Sequence, residues 1–271
     1  MITTFKYRAP VTRAELHGLL ADHGGDARLL AGGTDLLGDI RMGLRHPEVV
    51  VDLKKVADFP SITWSDDDGL TIGPAVTISD VLQSAVIRER FPILVSCARD
   101  LASHQIRNRA TVVGNIVNAS PCSDMAPGLL CLKARAVISS ARGGREVPLH
   151  EFFAGVKATV LEEDEVLEGI VVPPESAGAR GSYRKLKRIN GHDLGIVGVA
   201  LSKHEGLIRL GISSCAPTPL WVNGLAETAG DDEVAAAAQR AIKPISDVRA
   251  SKEYRAFMVE VFVRRLHQEV A

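Results

Sequence analysis

The first stretch with residue types suited to chemistry is a glycine pair between apolar and polar residues. It comprises Leu29, Leu30, Ala31, Gly32, Gly33, Thr34, Asp35 and Leu36. An apolar strand that turns through glycines into a helix leaves backbone N–H groups without partners at the positive end of the helix dipole. Such a turn suits a phosphate, because without Cβ atoms its oxygens can reach the amides. Glycine pairs also serve packing alone at strand–helix joints, so this stretch by itself leaves both interpretations open.

A second stretch, residues 106–124, is rich in Asn, Ser and Thr and ends in an acidic residue. Its polar members include Thr111, Asn115, Ser120 and Asp124. Side chains of these types cap loops and form hydrogen bonds with oxygen-rich ligands, and a carboxylate accepts hydrogen bonds from ribose hydroxyls. The stretch has no clear helix or strand pattern, which predicts a long loop. A long polar loop in an apolar domain is more often functional than idle, with an ordinary loop of local turns as the alternative.

Two different arrangements of helices and strands are predicted around these stretches. The first fifty-odd residues predict a compact β-α-β-α-β unit with strands at 5–7, 28–31 and 49–53. From residue 61 the sequence predicts hairpins at 62–73 and 136–148, helices at 79–88 and 92–103, and a strand at 165–172. Antiparallel strands mixed with helices favour an α+β fold over a doubly wound sheet.

The last third of the chain predicts a separate domain. Residues 173–179 have the composition of a linker, and strands at 182–187, 196–203 and 207–213 predict a three-stranded antiparallel sheet followed by a helical bundle. The final helix, from about residue 251, is expected to place an apolar stripe in the core. The stripe comprises Tyr254, Phe257, Met258, Val261, Phe262, Arg265 and Leu266. The predicted domains are therefore 1–173, divided into 1–55 and 56–173, and 179–271.

Composition excludes several classes of protein. The chain has 271 residues, 24% of them charged with a net charge of −1, which is unlike a nucleic-acid-binding protein. No apolar run has the length of a membrane span, and residues 1–6 do not resemble a signal peptide, so a cytoplasmic protein is expected. Cys97, Cys122, Cys131 and Cys215 form no Cys-x-x-Cys pair, and the histidines lack ligand spacing. The sequence thus predicts no metal site and no iron–sulfur cluster in this chain.

Together the two stretches resemble the FAD-binding subunit of the molybdenum hydroxylases, the relatives of xanthine dehydrogenase and carbon monoxide dehydrogenase. The matching motifs are Ala31-Gly32-Gly33-Thr34, the polar run from Gln105 to Asn115, Ser120-Pro121-x-x-Asp124, residues 152–159, residues 182–188 and residues 216–219. The resemblance covers essentially the whole chain. It implies a two-part FAD-binding domain of the vanillyl-alcohol oxidase (PCMH) type, followed by a domain like the C-terminal domain of the carbon monoxide dehydrogenase flavoprotein.

The family resemblance implies a role for each matching position. Residues 29–36 would wrap the pyrophosphate of FAD with backbone amides. A second loop on the same diphosphate would comprise Thr111, Val112, Val113, Gly114 and Asn115. Ser120 would lie in this cradle, and Asp124 would accept hydrogen bonds from ribityl or ribose hydroxyls.

The apolar members of the implied site are Leu101 and Ile106, set against the rings of the cofactor, and Leu167. Lys185 would reach the flavin from the C-terminal domain, where its charge stabilises a negatively charged reduced ring. The alternative for Lys185 is a surface lysine on a strand. No side chain of this chain is assigned a catalytic role.

The resemblance also implies partners. A large subunit would hold a molybdopterin cofactor and a small one [2Fe–2S] clusters, in a dimer of heterotrimers that passes electrons through FAD to NAD⁺, oxygen or another acceptor. The alternatives are a non-catalytic assembly or regulatory module and a stand-alone flavin oxidoreductase. Two positions depart from the family pattern: Leu194 stands where some relatives carry an aromatic residue, and Val113 where many carry a second glycine.

Overall fold

The N-terminal unit of the computed structural model has the predicted β-α-β-α-β order. The structure describes residues 4–270, so residues 1–3 of the segment inspected for a signal peptide lie outside it. The elements are β1 (Lys6–Arg8), α1 (Arg13–His23), β2 (Ala27–Leu30), α2 (Leu36–Arg41) and β3 (Val49–Asp52). The strands form a parallel sheet in the order β1-β3-β2. Leu16 and Leu20 of α1 pack with Val49 and Val51 in a small core.

The second unit is built on a five-stranded antiparallel sheet with the strand order β4-β5-β10-β6-β7. Its strands are β4 (Ile62–Ser65), β5 (Gly69–Ile72), β6 (Arg135–Ser140), β7 (Gly143–Pro148) and β10 (Val166–Val172), with the small pair β8 (Phe153–Gly155) and β9 (Ala158–Thr159) beside it. Its helices are α3 (Ile78–Gln83), α4 (Ala85–Arg90), α5 (Pro92–Asp100), α6 (His104–Arg107), α7 (Val112–Val117), α8 (Met125–Cys131) and α9 (Leu149–Phe152).

The helix predicted at 79–88 is two helices. Ser84 has an extended backbone, with a ψ of 119°, and its hydroxyl accepts from the N–H of Ile87. One serine therefore ends α3 and caps α4, because a serine hydroxyl satisfies amides at the start of a helix.

The C-terminal sheet has four antiparallel strands, which corrects the three expected from the sequence. They are β11 (Arg180–Leu186), β12 (Val197–His204), β13 (Leu207–Ser213) and β14 (Leu220–Ala226), paired in chain order. The fourth strand follows a proline-rich turn and is half-buried or exposed along its length, so it lacks the apolar alternation that predicts a strand.

The C-terminal sheet is packed between two helical layers. α10 (Asp231–Ala241) and α11 (Lys252–Glu269) cover one face, while α5 and α8 of the preceding region cover the other. The approach of α8 is close: a Cβ atom added to Gly211 on β13 would lie 2.1 Å from the carbonyl oxygen of Pro127. Tyr183 and Ala200 of this sheet accordingly belong to the large central core.

The segment predicted as a linker, residues 173–179, is packed against its neighbours. The Ser176 hydroxyl donates to the carbonyl of Leu132 at 2.8 Å, and the N–H of Gly178 donates to the carbonyl of Arg90 at 2.9 Å. The division of the chain at this segment stays a prediction.

Within residues 4–270, no helix combines the length and apolar character needed to cross a membrane.

The stripe predicted on the last helix is only partly buried. Phe262 and Leu266 are buried and Met258 and Val261 pack half-buried against the C-terminal core, whereas Tyr254, Phe257 and Arg265 are exposed. The buried residues of α11 are Arg255, Val259, Phe262, Val263, Leu266 and His267. Tyr254 and Phe257 are 46% and 60% exposed. The inward face begins with an arginine and ends with a histidine, so the pattern of apolar residues alone does not identify it. Arginine is rarely buried unless it is paired.

Arg255 joins α11 to the ends of two strands. Its side chain is 2% exposed, and its guanidinium pairs with Asp247 at 2.7 Å. The same guanidinium donates to the carbonyl oxygens of Ile196, just before β12, and Ser214, just after β13. Burial acts to raise the pKa of Asp247, but hydrogen bonds from Arg249 and Arg255 hold this pKa well below its usual value.

Asp247→Asn is expected to lower the free energy of unfolding at pH 7 by about 1.5–3 kcal/mol, the range for a hydrogen bond to a charged group, because the buried Arg255 loses its counter-charge. A folded-state pKa below the unfolded one stabilises the fold above about pH 4 and loses this effect as the pH falls. The difference between variant and wild type should therefore shrink towards pH 3. Urea denaturation at several pH values measures it, and a pH-independent difference would contradict the assignment.

Candidate functional site

The glycine stretch forms a turn whose amides are free. Gly33 has a φ of +74°, in the left-handed region that favours glycine, and lies between the end of β2 and the start of α2. Its carbonyl accepts from the N–H of Leu37 at 3.2 Å. Within residues 4–270, the N–H groups of Gly32, Gly33 and Thr34 donate no hydrogen bond. Three consecutive free amides at a turn are a set of donors for the oxygens of an anion.

The two predicted stretches are in direct backbone contact. A Cβ atom added to Gly32 would lie 2.1 Å from the carbonyl oxygen of Arg109 and 3.0 Å from the Cα of Ala110. The stretch around Ala110 is itself held, since its carbonyl accepts from the N–H of Ile78 at 2.9 Å. Gly32 is thus required by the approach of the second stretch. The sequence had suggested another reason for glycine at this position, namely that a phosphate can approach backbone amides that no Cβ atom covers.

The second stretch is partly helical, which corrects the long loop expected at residues 106–124. Thr111 caps α7: its hydroxyl accepts from the N–H of Gly114 at 3.0 Å, and its carbonyl accepts from the N–H of Asn115 at 3.0 Å. These two amides are therefore occupied within the helix. The N–H of Val113, in contrast, has no acceptor in the part of the chain that the structure describes.

The polar side chains after α7 stabilise the segment that leads to Asp124. The Asn115 side-chain oxygen accepts from the Ser123 hydroxyl at 2.6 Å and from the N–H of Met125 at 3.2 Å. The Ser120 hydroxyl accepts from the N–H of Cys122 at 3.2 Å. The Asn and Ser residues that suggested ligand binding thus also stabilise the local backbone through hydrogen bonds.

A chain of hydrogen bonds that sequence reasoning missed links the glycine turn to this segment. The side-chain amide of Asn118 donates to Asp35 at 3.1 Å, and the Lys157 ammonium donates to the Asn118 side-chain oxygen at 2.7 Å. Asp35 is exposed and does not cap α2 with its side chain. The three residues lie far apart in the sequence, so no local pattern signals the link.

Asp124 and Lys185 form a buried ion pair where the C-terminal sheet meets α8. The Lys185 ammonium lies 2.9 Å from the Asp124 carboxylate, and the two side chains are 2% and 10% exposed. The Tyr183 hydroxyl donates to the other carboxylate oxygen at 2.9 Å. Burial raises the pKa of Asp124, an effect that Lys185 and Tyr183 offset only in part. Burial and the nearby carboxylate raise the pKa of Tyr183 well above its usual value.

The predicted apolar site residues belong to the central core. Leu101, Val112, Val113 and Leu167 are buried in one cluster, and Ile106 packs against it half-buried. Leu167 lies on β10 opposite Ile138 of β6. Their contacts with a cofactor stay predictions, as do those of the polar site residues.

The donors that the structure brings together fit the diphosphate of FAD. They are the backbone amides of the glycine turn, which contacts the second stretch, and that stretch contains hydroxyl groups and ends at Asp124, the buried partner of Lys185. A cation would find little here, because no three His, Cys, Asp or Glu residues among those described are placed to hold a metal. A dinucleotide with an anionic centre and hydroxylated flanks matches this chemistry.

Comparison with known proteins agrees with this geometry. Residues 3–175 match the family model described as the FAD binding domain in molybdopterin dehydrogenase, and residues 181–270 match the CO dehydrogenase flavoprotein C-terminal domain. The chain is 32% identical to the carbon monoxide dehydrogenase medium chain of Hydrogenophaga pseudoflava, over 96% of this chain and 95% of the relative. It is 30% identical to the xanthine dehydrogenase FAD-binding subunit of Escherichia coli O157:H7, over 97% and 94%.

The fold is shared as well as the sequence. The structure superimposes on a chain of reconstituted CO dehydrogenase from Oligotropha carboxidovorans with a TM-score of 0.91 and 31% identity, over 100% of this chain and 99% of that one. Two family models together cover nearly the whole chain, and relatives at 30% identity or more match it along almost their full length. Both comparisons identify the same family. The chain belongs to the FAD-binding subunits of the molybdenum hydroxylases, the family of carbon monoxide dehydrogenase and xanthine dehydrogenase.

Proposed function

We propose that this chain holds FAD between its glycine turn and its C-terminal sheet, along the second stretch, as the electron-transferring subunit of a larger enzyme. The observation that carries the proposal is the turn at Gly32–Thr34, whose free amides abut the backbone of Arg109 and Ala110. These amides would bind the diphosphate. The flavin end would then extend towards Asp124 and Lys185.

The side chains near the flavin end supply orientation and charge. FAD itself would supply the capacity to accept and release electrons. Lys185 supplies a positive charge in a region shielded from water, where its effect on a neighbouring negative charge is stronger than in solution. Asp124 orients this ammonium and offers its remaining lone pairs to hydroxyl groups.

Titration of the purified chain with FAD tests the proposed cofactor site. We expect a stoichiometric complex with the visible absorption bands of a bound flavin, and competition by ADP, because ADP carries the same diphosphate. A chain that shows no flavin bands after incubation with FAD would overturn the proposal and favour a non-catalytic module.

We further propose that the chain acts with a small [2Fe–2S] subunit and a large molybdopterin subunit, in a dimer of heterotrimers. The relatives named a medium chain and an FAD-binding subunit support such a division of tasks. The terminal acceptor in this proposal is NAD⁺, oxygen or another small oxidant. Four free cysteines favour the reducing cytoplasm as the place of action.

Affinity purification of the chain from its native cells tests the assembly. We expect molybdenum, iron and flavin to co-elute with two further polypeptides. A chain that elutes alone and oxidises a small substrate by itself would support a stand-alone flavin oxidoreductase instead.

A further inference from the structure

Ser214 follows the last residue of β13 in an unusual backbone conformation. Its φ is +67°, in the left-handed region that residues other than glycine rarely adopt. Two contacts impose it: the N–H donates to the carbonyl of Pro121 at 2.6 Å, and the carbonyl accepts from Arg255 at 3.2 Å. Strained residues held from both sides are frequent where a protein binds a ligand.

The side-chain hydroxyl of Ser214 is buried without a partner. The residue is 8% exposed, and its Oγ forms no hydrogen bond with any residue in the range 4–270. A hydroxyl removed from water is nearly always paired, because leaving it unpaired disfavours folding. The two backbone hydrogen bonds therefore fix the position of a hydroxyl group that can still donate and accept a hydrogen bond.

That point adjoins the buried ion pair. The position of a Cβ atom on Gly195 would be 3.3 Å from Ser214 Oγ and 3.4 Å from Lys185 Cε. The hydroxyl and the lysine stem thus both lie beside the buried Gly195. Pro121, which accepts from the Ser214 N–H, lies three residues before Asp124. Ser214 is therefore at the contact between the C-terminal sheet and the segment Ser120–Asp124.

We propose that the Ser214 hydroxyl is a hydrogen-bonding contact for the flavin end of FAD, with Arg255 as the positioning residue that holds it there. The inference rests on the proposed function, since it places the flavin end beside Lys185. The flavin end offers carbonyl oxygens, ring nitrogens and ribityl hydroxyls, and a serine hydroxyl pairs with each of these groups. The adenine end has no part in this contact.

Ser214→Ala tests the proposal on the full chain. We expect FAD to bind about 3- to 10-fold more weakly, the range for one lost hydrogen bond, in a titration followed by quenching of flavin fluorescence. The affinity for ADP should stay unchanged, and the visible bands of the bound flavin should shift. The unfolding temperature of the cofactor-free variant should equal or exceed that of wild type, because an unpaired hydroxyl is removed.

Ser202→Ala is the matched control. Ser202 is a buried serine in the same sheet, and its hydroxyl donates to the carbonyl of Cys131 at 3.4 Å. This variant should bind FAD and ADP as wild type does. Gly195→Ala is a second probe, because its Cβ would lie 3.3 Å from Ser214 Oγ and would displace the hydroxyl; the variant should bind FAD more weakly and ADP as wild type does.

Different results would contradict the Ser214 contact and the proposed FAD site. Wild-type affinity for FAD in Ser214→Ala overturns the contact, and so does an equal loss of FAD and ADP. A wild-type chain that binds neither FAD nor ADP overturns the proposed function instead.

Discussion

Lys185→Met is expected to lower the free energy of unfolding at pH 8 by about 3–5 kcal/mol, the range for breaking a buried ion pair from one side. The reason is that the Asp124 carboxylate, 10% exposed, would keep the Tyr183 hydroxyl as its one polar side-chain partner among the residues that the structure describes. Loss of the ammonium also raises the pKa of Asp124 further, because Lys185 is the larger of the two side-chain contributions that offset the effect of burial.

The pH dependence of this variant has a defined sign. A carboxyl whose folded-state pKa exceeds its unfolded one stabilises the fold at low pH, and this contribution is lost as the pH rises through the folded value. The gap between Lys185→Met and wild type should thus be largest at pH 8 and should shrink towards pH 4. Urea denaturation at both pH values measures it.

Two controls isolate the ion pair. Asp124→Asn combined with Lys185→Met removes both charges and should recover most of the lost stability. Arg184→Met removes a neighbouring ion pair with Glu269, in which both side chains are 42% exposed. It should change the free energy of unfolding by less than about 1 kcal/mol. A double variant as unstable as the single one would show that the methionine, not the bare carboxylate, causes the loss.

Gly32→Ala is expected to weaken FAD binding by more than about 100-fold, through two or more lost hydrogen bonds to a charged phosphate at about 1.5–3 kcal/mol each. The added Cβ would lie 2.1 Å from the carbonyl oxygen of Arg109. The turn must then separate from the second stretch, which displaces the amides of Gly32, Gly33 and Thr34. Fluorescence titration with FAD measures the loss.

Gly38→Ala is the matched control for this prediction. Gly38 lies on α2 of the same unit, and a Cβ atom there meets nothing within 4 Å. The control should bind FAD as wild type does and unfold at the same or a slightly higher temperature, because alanine favours a helix over glycine. Undiminished affinity in Gly32→Ala would show that the turn is not the diphosphate site.

These two expectations concern the two ends of one proposed site. Gly32 fixes the spacing between the glycine turn and the second stretch, and the Asp124–Lys185 pair fixes the second stretch against the C-terminal sheet. The departure at Val113 is compatible with this arrangement: its side chain is buried in the core while its N–H stays free. Leu194 is 56% exposed, so this position provides an aliphatic surface where some relatives carry an aromatic residue.

The sequence predicted the N-terminal unit and most strands, because their patterns are local. β3 is a run of β-branched residues, and α1 begins at a Thr cap and ends at glycine, so neighbouring residues suffice to predict them. The α+β class and the family were likewise predicted correctly. The prediction failed where local patterns mislead: β14 is only partly buried, and the inward face of α11 contains Arg255.

The sequence by itself determined which residues have the chemistry of the site: the glycines of the turn, the cap at Thr111, and the charges of Asp124 and Lys185. Only the tertiary structure decided what they do. Gly32 meets Arg109, and Asp124 pairs with a lysine 61 residues later, once β10 lies between β5 and β6 and the C-terminal sheet closes on α8. The physical reason is that backbone preference and capping act between neighbours in the chain, whereas close approach, burial and ion pairing depend on which distant surfaces pack together.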